Sequence, residues 1–477
     1  MSKFYITNSI PYVNAKPHIG HALEFIQSDV ITRYHKTLGD EVLLLCGGDE
    51  NAIKNVQAAE KEGIPIQEFI DKNSNLFLEL SKKLNIKFDV WQKGSDPKHH
   101  LSSQRLWELC DKNGDIYKKS YTGLYCVGCE LFYEKQELNE QEECYEHPGK
   151  KLDRVSEENY FFRLSKYQNK LIKLLESNTL NIVPEFRRNE MLSFLKNPLQ
   201  DISISRSNKR AKNWGVPVPN DNSQKMYVWF DALNIYQSGI GFGSDEIQYK
   251  KWWPADLHVI GKGILRFHAI YWPAFLLSAK LKLPKKIFVH EYVTVNGQKM
   301  SKTLGNVLDP IPLIEKYGAD ALRYYLLAKI SPFSDGDFSE EKLKETYNAD
   351  LANGLGNTVS RLAKLAENSD IEFDELDNSK NIYSKEQQEA IEDFDFNIAL
   401  YNTLIVELQI IDRRINQEAP WTIKDKHRLK TVLQECINDL RTLAIKLKPF
   451  LPETAEKIEN QFKCPKITSQ KPLFPRI

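Results

Sequence analysis

The run Val42-Leu43-Leu44-Leu45-Cys46 constrains the fold of this chain more than any other stretch. Consecutive apolar residues followed by Gly47-Gly48 are typical of a strand that is buried on both faces of a parallel sheet. Parallel strands need a crossover between them, usually a helix. Helical patterns at 66–84 and 97–113, with a strand near 88–92 between them, supply this alternation. The sequence therefore predicts an α/β fold with a doubly wound parallel sheet.

The start of the chain predicts a strand at 4–8 and a helix from about His18 to Leu38. His18 and His21 are three positions apart, so both imidazoles lie on the same side of the first helical turn. A strand-to-helix turn is where open α/β sheets bind nucleotides, with N–H donors directed at phosphate. Taken alone, a His-x-x-His pair is also compatible with a surface, core or metal-binding role.

The sheet is expected to resume at 226–230, 257–260 and 287–290. Four residues just past the ends of these strands could line an apolar substrate pocket, with ordinary core packing as the alternative: Trp229, Tyr236, Phe267 and His268. Asp49, at the end of the 42–46 strand, could bind an ammonium group. The alternative is a helix N-cap at Asp49 or Asn51.

The segment Asn296-Gly297-Gln298-Lys299-Met300-Ser301-Lys302-Thr303 carries a glycine and two lysines. A mobile loop of this kind can close on the β- and γ-phosphates of a nucleotide and stabilise charge as pyrophosphate leaves. Alone, a Lys-x-x-Lys loop is also compatible with ordinary solvated surface.

Two short pairs, Cys126-x-x-Cys129 and Cys144-x-x-His147, have the spacing of a tetrahedral zinc site. Four protein ligands leave no open position, so the predicted zinc is structural. A set of free thiols is the alternative. The chain has only seven cysteines, too few for a disulfide scaffold, which favours a reducing compartment.

From about residue 320 the pattern is helical, and a helical bundle is predicted from about 346. Trp421 follows Ala419-Pro420 beside a modestly basic stretch at 412–448. An exposed tryptophan among cations suits base stacking, with inter-helix packing as the alternative.

The 65 basic and 65 acidic side chains give no net charge, which argues against a general nucleic-acid binder. With no signal-peptide pattern and no apolar run of membrane-spanning length, a cytoplasmic protein is expected.

Several motifs together resemble one family. His18-Ile19-Gly20-His21 and Lys299-Met300-Ser301-Lys302-Thr303 resemble the paired signatures of class I aminoacyl-tRNA synthetases, with Thr303 in place of the usual serine. The wider sequence is similar to the methionyl-tRNA synthetases over essentially the whole chain. The segments that carry this similarity are Pro11–Asn14, the Cys/His pairs, Val228–Ala232, Arg266–His268 and Tyr292–Gly297.

The resemblance implies an ATP-dependent ligase that joins L-methionine to tRNA(Met) through methionyl-adenylate, releasing AMP and pyrophosphate. The implied catalytic residues are His18, His21, Lys299 and Lys302, and ATP binding adds Gly20 and Ser301. The implied methionine-binding residues are Ile10, Tyr12, Asp49, Arg206, Trp229, Ala232, Tyr236, Ile264, Phe267 and His268. The implied anticodon readers are Asn357, Arg361 and Trp421. The implied metals are one structural Zn²⁺, bound by Cys126, Cys129, Cys144 and His147, and Mg²⁺ with ATP.

The resemblance also implies a division of the chain. A Rossmann-type catalytic domain is expected at 1–115 and 226–290, split by a connective insertion at 116–225 with its zinc knuckle at about 120–150. A KMSKS-type loop and linking region at 291–345 precede an α-helical anticodon-binding domain at 346–477. Because the chain ends soon after that bundle, without the C-terminal domain through which some relatives dimerise, a monomer is expected.

Two positions depart from the family pattern. Asn51 stands where relatives usually have histidine, and Gly263 stands where many have an aspartate of the network around the arginine matching Arg206.

Three rival classes of protein explain the motifs less well. Among other class I synthetases, those for isoleucine, valine and leucine carry a larger editing insertion than this chain does. The cysteine enzyme uses its zinc to bind the substrate thiol, whereas the predicted zinc here already has four protein ligands. A small-molecule nucleotidyltransferase would not need the helical bundle, and a zinc-knuckle RNA-binding protein would not need the His18 and Lys299 motifs.

Overall fold

The computed structural model of this 477-residue chain describes residues 2–126, 131–133, 137–145, 149–300, 305–376, 382–463 and 465–477. The chain forms two compact units, each assembled from separate stretches. The first unit comprises Met1–Lys16, Asp40–Glu79 and Phe88–His290. The second unit comprises Pro17–Gly39, Leu80–Lys87 and Glu291–Ile477.

The strands are numbered in chain order. They are β1 (Lys3–Asn8), β2 (Glu41–Gly48), β3 (Val90–Lys93), β4 (Ile116–Cys126), β5 (Leu131–Tyr133), β6 (Asp153–Phe162), β7 (Asn181–Val183), β8 (Ile202–Ser203), β9 (Ser205–Ser207), β10 (Pro217–Val218), β11 (Asp221–Met226), β12 (Leu257–Gly261), β13 (Lys286–His290), β14 (Val293–Val295), β15 (Gln298–Lys299) and β16 (Gly336–Phe338).

The helices are numbered in the same way. They are α1 (Ile19–Thr37), α2 (Ile53–Glu62), α3 (Ile66–Lys83), α4 (Pro97–Lys112), α5 (Gln168–Glu176), α6 (Glu185–Phe194), α7 (Val228–Ala232), α8 (Ile235–Ser238), α9 (Glu246–Trp252), α10 (Trp272–Ser278), α11 (Pro310–Tyr317), α12 (Ala319–Ala328), α13 (Glu340–Thr346), α14 (Asn357–Ser369), α15 (Lys385–Glu392), α16 (Phe396–Leu400), α17 (Val406–Glu418), α18 (Lys426–Leu447) and α19 (Pro452–Gln461). Wider, π-helical turns lie at Phe267–Tyr271, Tyr347–Gly356 and Tyr401–Ile405, and 3₁₀ turns lie at Leu164–Tyr167, Lys262–Ile264 and Pro420–Thr422.

The first unit is built around a six-stranded sheet in the order β3-β2-β1-β12-β13-β7, and every neighbouring pair is parallel. The predicted α/β fold with a parallel sheet is therefore confirmed. The order reverses direction at β1, which pairs with β2 on one side and β12 on the other. In open α/β sheets this switch point is where ligands bind, outside the carboxyl ends of the strands.

The segment expected as an insertion contributes to this sheet. β7 pairs with β13 through Ile182↔Ile287 and its neighbours, so residues within 116–225 form one edge of the parallel sheet. The other described strands of this segment pair antiparallel, and two helices lie between them. β4 pairs with β6 along ten residues, from Ile116↔Phe162 to Tyr125↔Asp153.

The prediction that the parallel sheet resumes at 226–230 is wrong, because β11 belongs to a separate three-stranded antiparallel sheet and ends at Met226. The residues Val228–Ala232 form the short helix α7, in which Trp229 and Phe230 are both buried. A short apolar run that is buried on all sides has the same composition in a strand and in a core helix. The consequence for the site is that Trp229 is carried by a helix.

In the second unit, Arg323 of α12 links three separate stretches. Its guanidinium is fully buried, forms an ion pair with Asp29 of α1 at 2.8 Å, and donates to the carbonyl oxygens of Leu84 and Phe450. Burial of this charge is tolerated because it is both paired and hydrogen-bonded. Beyond β16, the described residues of this unit contain helices and turns but no further strand.

Across the part of the chain that the structure covers, no helix has the combined length and apolar character that crossing a bilayer requires.

Candidate active site

Three aromatic side chains of the first unit, Tyr12, Trp229 and Phe267, form what we call the aromatic cluster. The Trp229 and Phe267 rings stack with centroids 3.7 Å apart and planes 4° from parallel. Tyr12 meets the Trp229 ring edge-on, at 6.3 Å and 88°. Trp229 and Phe267 are more than nine-tenths buried. Such a surface suits an unbranched thioether, because sulfur makes favourable contacts with aromatic rings.

His268 lies beside this cluster and is held by two hydrogen-bond contacts. Nδ1 is 2.9 Å from the carbonyl oxygen of Ile264, which can only accept, so Nδ1 carries a proton. Nε2 lies 2.8 Å from the Tyr236 hydroxyl, within hydrogen-bond distance. His268 and Phe267 both belong to the π-helical turn Phe267–Tyr271. Such turns are often found at functional sites.

His258 underlies Tyr236 and was not among the predicted site residues. Its Nδ1 is 2.6 Å from the Thr7 hydroxyl, and its ring centroid is 4.6 Å from that of Tyr236. Burial, with His268 nearby, lowers the pKa of His258 well below its ordinary value, so the ring is neutral. A histidine inside the predicted strand 257–260 was the available sequence signal for this residue.

Asp49 follows β2 directly and is buried. Its N–H donates to the carbonyl of Pro11 at 2.9 Å, and it forms a β-bridge with Tyr12. The carboxylate is thus held next to the segment that carries Ile10 and Tyr12. Helix α2 begins after Ala52, which provides no side-chain cap, so the alternative role of Asp49 or Asn51 as N-cap is wrong.

Asn51, one of the two departures from the family pattern, connects two parts of the site. Its Nδ2 donates to Oδ2 of Asp231 at 2.5 Å and to the carbonyl of Gly94 at 2.8 Å. Nε2 of His99 lies 3.7 Å from the same carboxylate oxygen. Asp231 belongs to α7, between Trp229 and Ala232. Asn51 therefore ties the loop after β2 to the helix that carries part of the aromatic cluster.

Arg206 of β9 is buried among polar groups of its own segment. Its Nη1 donates to the Ser203 hydroxyl at 2.9 Å and to the Ser205 carbonyl at 2.6 Å. Its Cζ lies 4.6 Å from the Tyr227 ring centroid. The guanidinium is therefore oriented without an aspartate at position 263.

The remaining predicted methionine-binding residues also belong to the first unit. Ala232 is buried in α7, and Ile10 and Ile264 are half-buried against the same hydrophobic core as Trp229 and Phe267. All the residues predicted to bind methionine thus occur in one compact unit.

The second unit carries His18 and His21, which cap the first turn of α1 reciprocally. Nδ1 of His18 accepts from the Gly20 N–H at 3.1 Å, and Nδ1 of His21 accepts from the His18 N–H at 3.1 Å. The ring centroids are 3.9 Å apart. Because both Nδ1 atoms accept from backbone donors, each neutral imidazole carries its proton on Nε2. Both rings therefore offer an Nε2–H donor, which suits phosphate oxygens.

Lys299 ends a β-hairpin formed by β14 and β15. Asn296 and Gly297 form its two-residue turn with φ of 54° and 71°, as expected for a type I′ turn. The Asp337 carboxylate accepts from the Gly297 N–H at 2.7 Å and from the Thr294 hydroxyl at 2.9 Å. Lys299 is exposed on this hairpin. Sequence reasoning missed Asp337, because the pairing of β16 with β14 brings it there from a distant stretch.

The two signature segments meet at Gly20. A Cβ built on Gly20 would lie 3.0 Å from Cε1 of His18 and 3.7 Å from Cε of Met300. The Ile19 N–H also donates to the Leu308 carbonyl at 3.0 Å. Glycine at position 20 thus leaves room for the imidazole. The predicted residues Ser301 and Lys302 lie outside the described residues.

The structure describes two of the four predicted zinc ligands, Cys126 and Cys144. The sulfur atoms of Cys126 and Cys144 are both buried and lie 3.3 Å apart. Two thiolates this close can bind one Zn²⁺ at about 2.3 Å each, so this pair fits a shared metal. Cys129 and His147 lie outside the described residues. Among the residues that are described, no group of three or more metal-binding side chains is found.

The three predicted anticodon readers lie in the helical part of the second unit. Asn357 and Arg361 are four residues apart on α14, and the Arg361 Cζ lies 5.3 Å from the Trp421 ring centroid. Arg361 also donates to Oδ1 of Asn416 at 2.7 Å. Trp421 is 57% exposed and also packs on Arg361 of α14, so its position is compatible both with base stacking and with inter-helix packing.

Comparison with known proteins agrees with this geometry. The family model for tRNA synthetases class I (M) matches residues 4–363. The methionine–tRNA ligase of Brucella suis is 41% identical over 471 residues, covering 96% of this chain and 91% of that protein. That of Rhizobium meliloti is 42% identical over 473 residues with the same coverages. The Mycobacterium tuberculosis methionyl-tRNA synthetase in complex with methionyl-adenylate superposes with a TM-score of 0.92 at 34% identity, covering 100% of both chains.

The fold, the two signature segments and these matches define a class I aminoacyl-tRNA synthetase. Within that class, the chain belongs to the family of methionine–tRNA ligases.

Proposed function

We propose that the enzyme activates L-methionine with ATP to form methionyl-adenylate, with release of pyrophosphate, and transfers the methionyl group to tRNA(Met). The observation that carries this proposal is the meeting of the two signature segments at Gly20 and Met300. The first unit separately supplies a buried aromatic cluster suited to a thioether. The relative from M. tuberculosis, with the same fold, is described in complex with methionyl-adenylate.

Methionine binding is assigned to the first unit. The Asp49 carboxylate pairs with the α-ammonium group, and the aromatic cluster contacts the thioether. The Tyr236–His268 pair fixes the polar end of the pocket, while Ile10, Ala232 and Ile264 supply apolar contacts. Arg206 lies near the substrate carboxylate in this assignment.

ATP binding is assigned to the second unit. The Nε2–H groups of His18 and His21 donate to phosphate oxygens, and the absent side chain at Gly20 allows close approach of the nucleotide. Lys299, together with Ser301 and Lys302, binds the departing phosphates. These groups stabilise the negative charge that grows in the transition state, and most of the catalysis of phosphoryl-type transfers comes from such stabilisation together with positioning.

The reaction needs no enzyme nucleophile. An oxygen of the methionine carboxylate attacks the α-phosphorus in line, and the bond from this phosphorus to the bridging oxygen of pyrophosphate breaks. A ribose hydroxyl at the tRNA 3′ end then attacks the activated carbonyl, loses its proton, and AMP leaves. Positioning of the two reactants supplies much of the rate.

Two metals and one RNA-binding surface complete the proposal. Mg²⁺ bound with ATP neutralises phosphate charge in reactions of this type. Zn²⁺ held by Cys126, Cys129, Cys144 and His147 has a structural role in the 116–225 insertion. The helical region at 346–477 reads the anticodon through Asn357, Arg361 and Trp421, where an exposed indole is available for base stacking.

The test is ATP–pyrophosphate exchange with each of the twenty amino acids, on wild type, Lys299→Ala and the control Lys344→Ala. Lys344 is an exposed lysine of the same unit. Methionine alone is expected to drive exchange, and Lys299→Ala is expected to lower kcat by about 100-fold or more because a charge that binds the transition state is lost. Exchange driven by a different amino acid would overturn the methionine assignment. An equal loss in Lys344→Ala would overturn the specific role of Lys299.

A further inference from the structure

Lys54 of α2 places its ammonium group on the face of one ring of the aromatic cluster. Its Nζ lies 3.0 Å from the Tyr12 ring centroid, well within the roughly 6 Å over which a cation is attracted to an aromatic face. Lys54 is half-buried, so water screens this attraction less than at a fully exposed site. The Tyr12 ring is therefore contacted by a cation as well as by Trp229, which it meets edge-on.

Lys54 occupies a position that is unfavourable for a cation in a helix. It is the second residue of α2, where the positive end of the helix dipole repels positive charge. The first turn of α2 contains no acidic residue, and the preceding Ala52 provides no side-chain cap. Helix formation therefore does not account for a lysine here, whereas the contact with Tyr12 does. Residues that break a local rule in this way often belong to functional sites.

The start of α2 is fixed relative to Tyr12 by hydrogen bonds. The buried Asn55 donates from its side-chain amide to the Asp49 carbonyl at 2.8 Å, which ties α2 to the end of β2. The Asp49 N–H donates in turn to the Pro11 carbonyl at 2.9 Å, and Asp49 forms a β-bridge with Tyr12. The backbone segments that carry the ammonium group and the ring are thus bonded to each other, which holds the two groups in register before substrate binds.

We propose that Lys54 is a positioning residue for methionine recognition, and that its ammonium group fixes the Tyr12 ring against Trp229 through a cation–π contact. The inference rests on the proposed function, because Tyr12 belongs to the aromatic cluster that is assigned to the thioether. A ring that is already fixed in the free enzyme loses little conformational freedom when methionine binds, and this lowers KM. Lys54 does not contact the reacting atoms in this assignment, so kcat should depend on it much less.

The first test compares Lys54→Met, Lys54→Arg and Lys61→Met in methionine-dependent ATP–pyrophosphate exchange. The Met variant keeps an unbranched side chain without the charge, whereas the Arg variant keeps a cation that stacks on rings. Lys61 is a matched control, because it is an exposed lysine of the same helix. Lys54→Met should raise KM for methionine about fivefold and change kcat by less than about twofold. Lys54→Arg and Lys61→Met should both stay within about twofold of wild type.

A second test measures the cation–π contact itself. Phenylalanine analogues with increasing numbers of ring fluorines are incorporated at position 12, since each fluorine weakens the negative face of the ring. With Lys54 present, log KM for methionine should rise in proportion to the number of fluorines. Fluorine also alters the contact of the ring with the thioether, so the series is repeated in Lys54→Met. The slope should fall by about half or more in that variant, and the difference between the slopes belongs to Lys54.

Four results would overturn the positioning role. The first is an unchanged KM in Lys54→Met, or an equal rise of KM in Lys61→Met. The second is a rise in Lys54→Arg as large as in Lys54→Met, because a cation on the ring would then not suffice. The third is a fall in kcat of about tenfold or more with unchanged KM, which would assign the ammonium group to the transition state. The fourth is an equal fluorine slope with and without Lys54, because the effect would then not pass through the Tyr12 ring.

Stability measurements separate this inference from the function on which it rests. If wild type shows no methionine-dependent exchange, the proposed function fails, and urea denaturation then tests the contact. Tyr12→Leu should lower the denaturation midpoint more in wild type than in Lys54→Met, because only wild type has a cation–π contact to lose. Equal shifts in the two backgrounds would show that Lys54 does not hold the ring, whatever the outcome of the exchange assay.

Discussion

The aromatic cluster lies in the hydrophobic core of the first unit, whereas His18 and His21 are half-buried and Lys299 is exposed in the second. This difference follows from the proposed ligands. A thioether is recognised by shape and dispersion, which require packed rings held in place before binding. A triphosphate is recognised by N–H donors and positive charge, which must stay hydrated and accessible until it arrives. A substitution in the aromatic cluster should therefore change both methionine binding and the free energy of unfolding. A substitution among the ATP-binding residues can change activity without changing the free energy of unfolding.

The largest expected effect tests this separability at His18. His18→Asn keeps a side-chain acceptor suited to a helix N-cap but removes the Nε2–H donor, whereas His18→Ala removes both. His18→Asn should lower kcat of exchange by about 100-fold, with little change in the free energy of unfolding. His18→Ala should lose the same activity and, in addition, about 1 kcal/mol of stability. Steady-state ATP–pyrophosphate exchange measures kcat, and urea denaturation measures the free energy of unfolding. Equal stability loss in the two variants would show that the cap is not what His18 contributes to folding.

The next effect tests the coupling at Phe267. Phe267→Ala removes a ring stacked at 3.7 Å on Trp229 and leaves a cavity in the core, so the free energy of unfolding should fall by about 3–5 kcal/mol. KM for methionine should rise in the same variant, because the rings that stabilise the core also contact the substrate. Phe275→Ala, at a fully buried phenylalanine of the same unit, serves as the control. A fall in stability with unchanged KM would separate the aromatic cluster from methionine binding.

The smallest effect concerns the histidine beneath the pocket. The folded-state pKa of His258 is lowered, so below about pH 6.5 the unfolded chain binds a proton that the folded protein does not. Stability should therefore decrease as the pH falls below that value, by at most about 1.4 kcal/mol for each pH unit from this residue. His258→Gln should remove that part of the slope between pH 7 and pH 5, measured by denaturation at each pH. An identical slope in the variant would contradict the assignment.

How much of this could be predicted from sequence depends on whether the decisive interaction is local. β1, β2, β12 and β13 follow from apolar runs, and the α1 start follows from the chain around His18. The helix α7 was missed because the Val228–Ala232 run is too short to show a period. Asn51 to Asp231 and Thr294 to Asp337 are contacts between distant stretches, and only the fold brings their partners together.

The predictions of site residues also depend on whether the decisive feature is local in the sequence. Motif resemblance located residues such as Asp49 and Trp229, whose positions are fixed by the end of β2 and by α7. It did not reveal the reciprocal capping that sets the tautomers of His18 and His21, because that depends on the geometry of one helical turn.

The short strand β7 has a consequence for how this enzyme avoids aggregation. It is a three-residue strand that pairs with β13 and forms the outer edge of the parallel sheet. Without it, the N–H and C=O groups of the apolar β13 would be open to pairing with another chain. A shortened enzyme that lacks the 116–225 segment would therefore have an unprotected sheet edge, and it should self-associate even where its remaining sheet folds correctly.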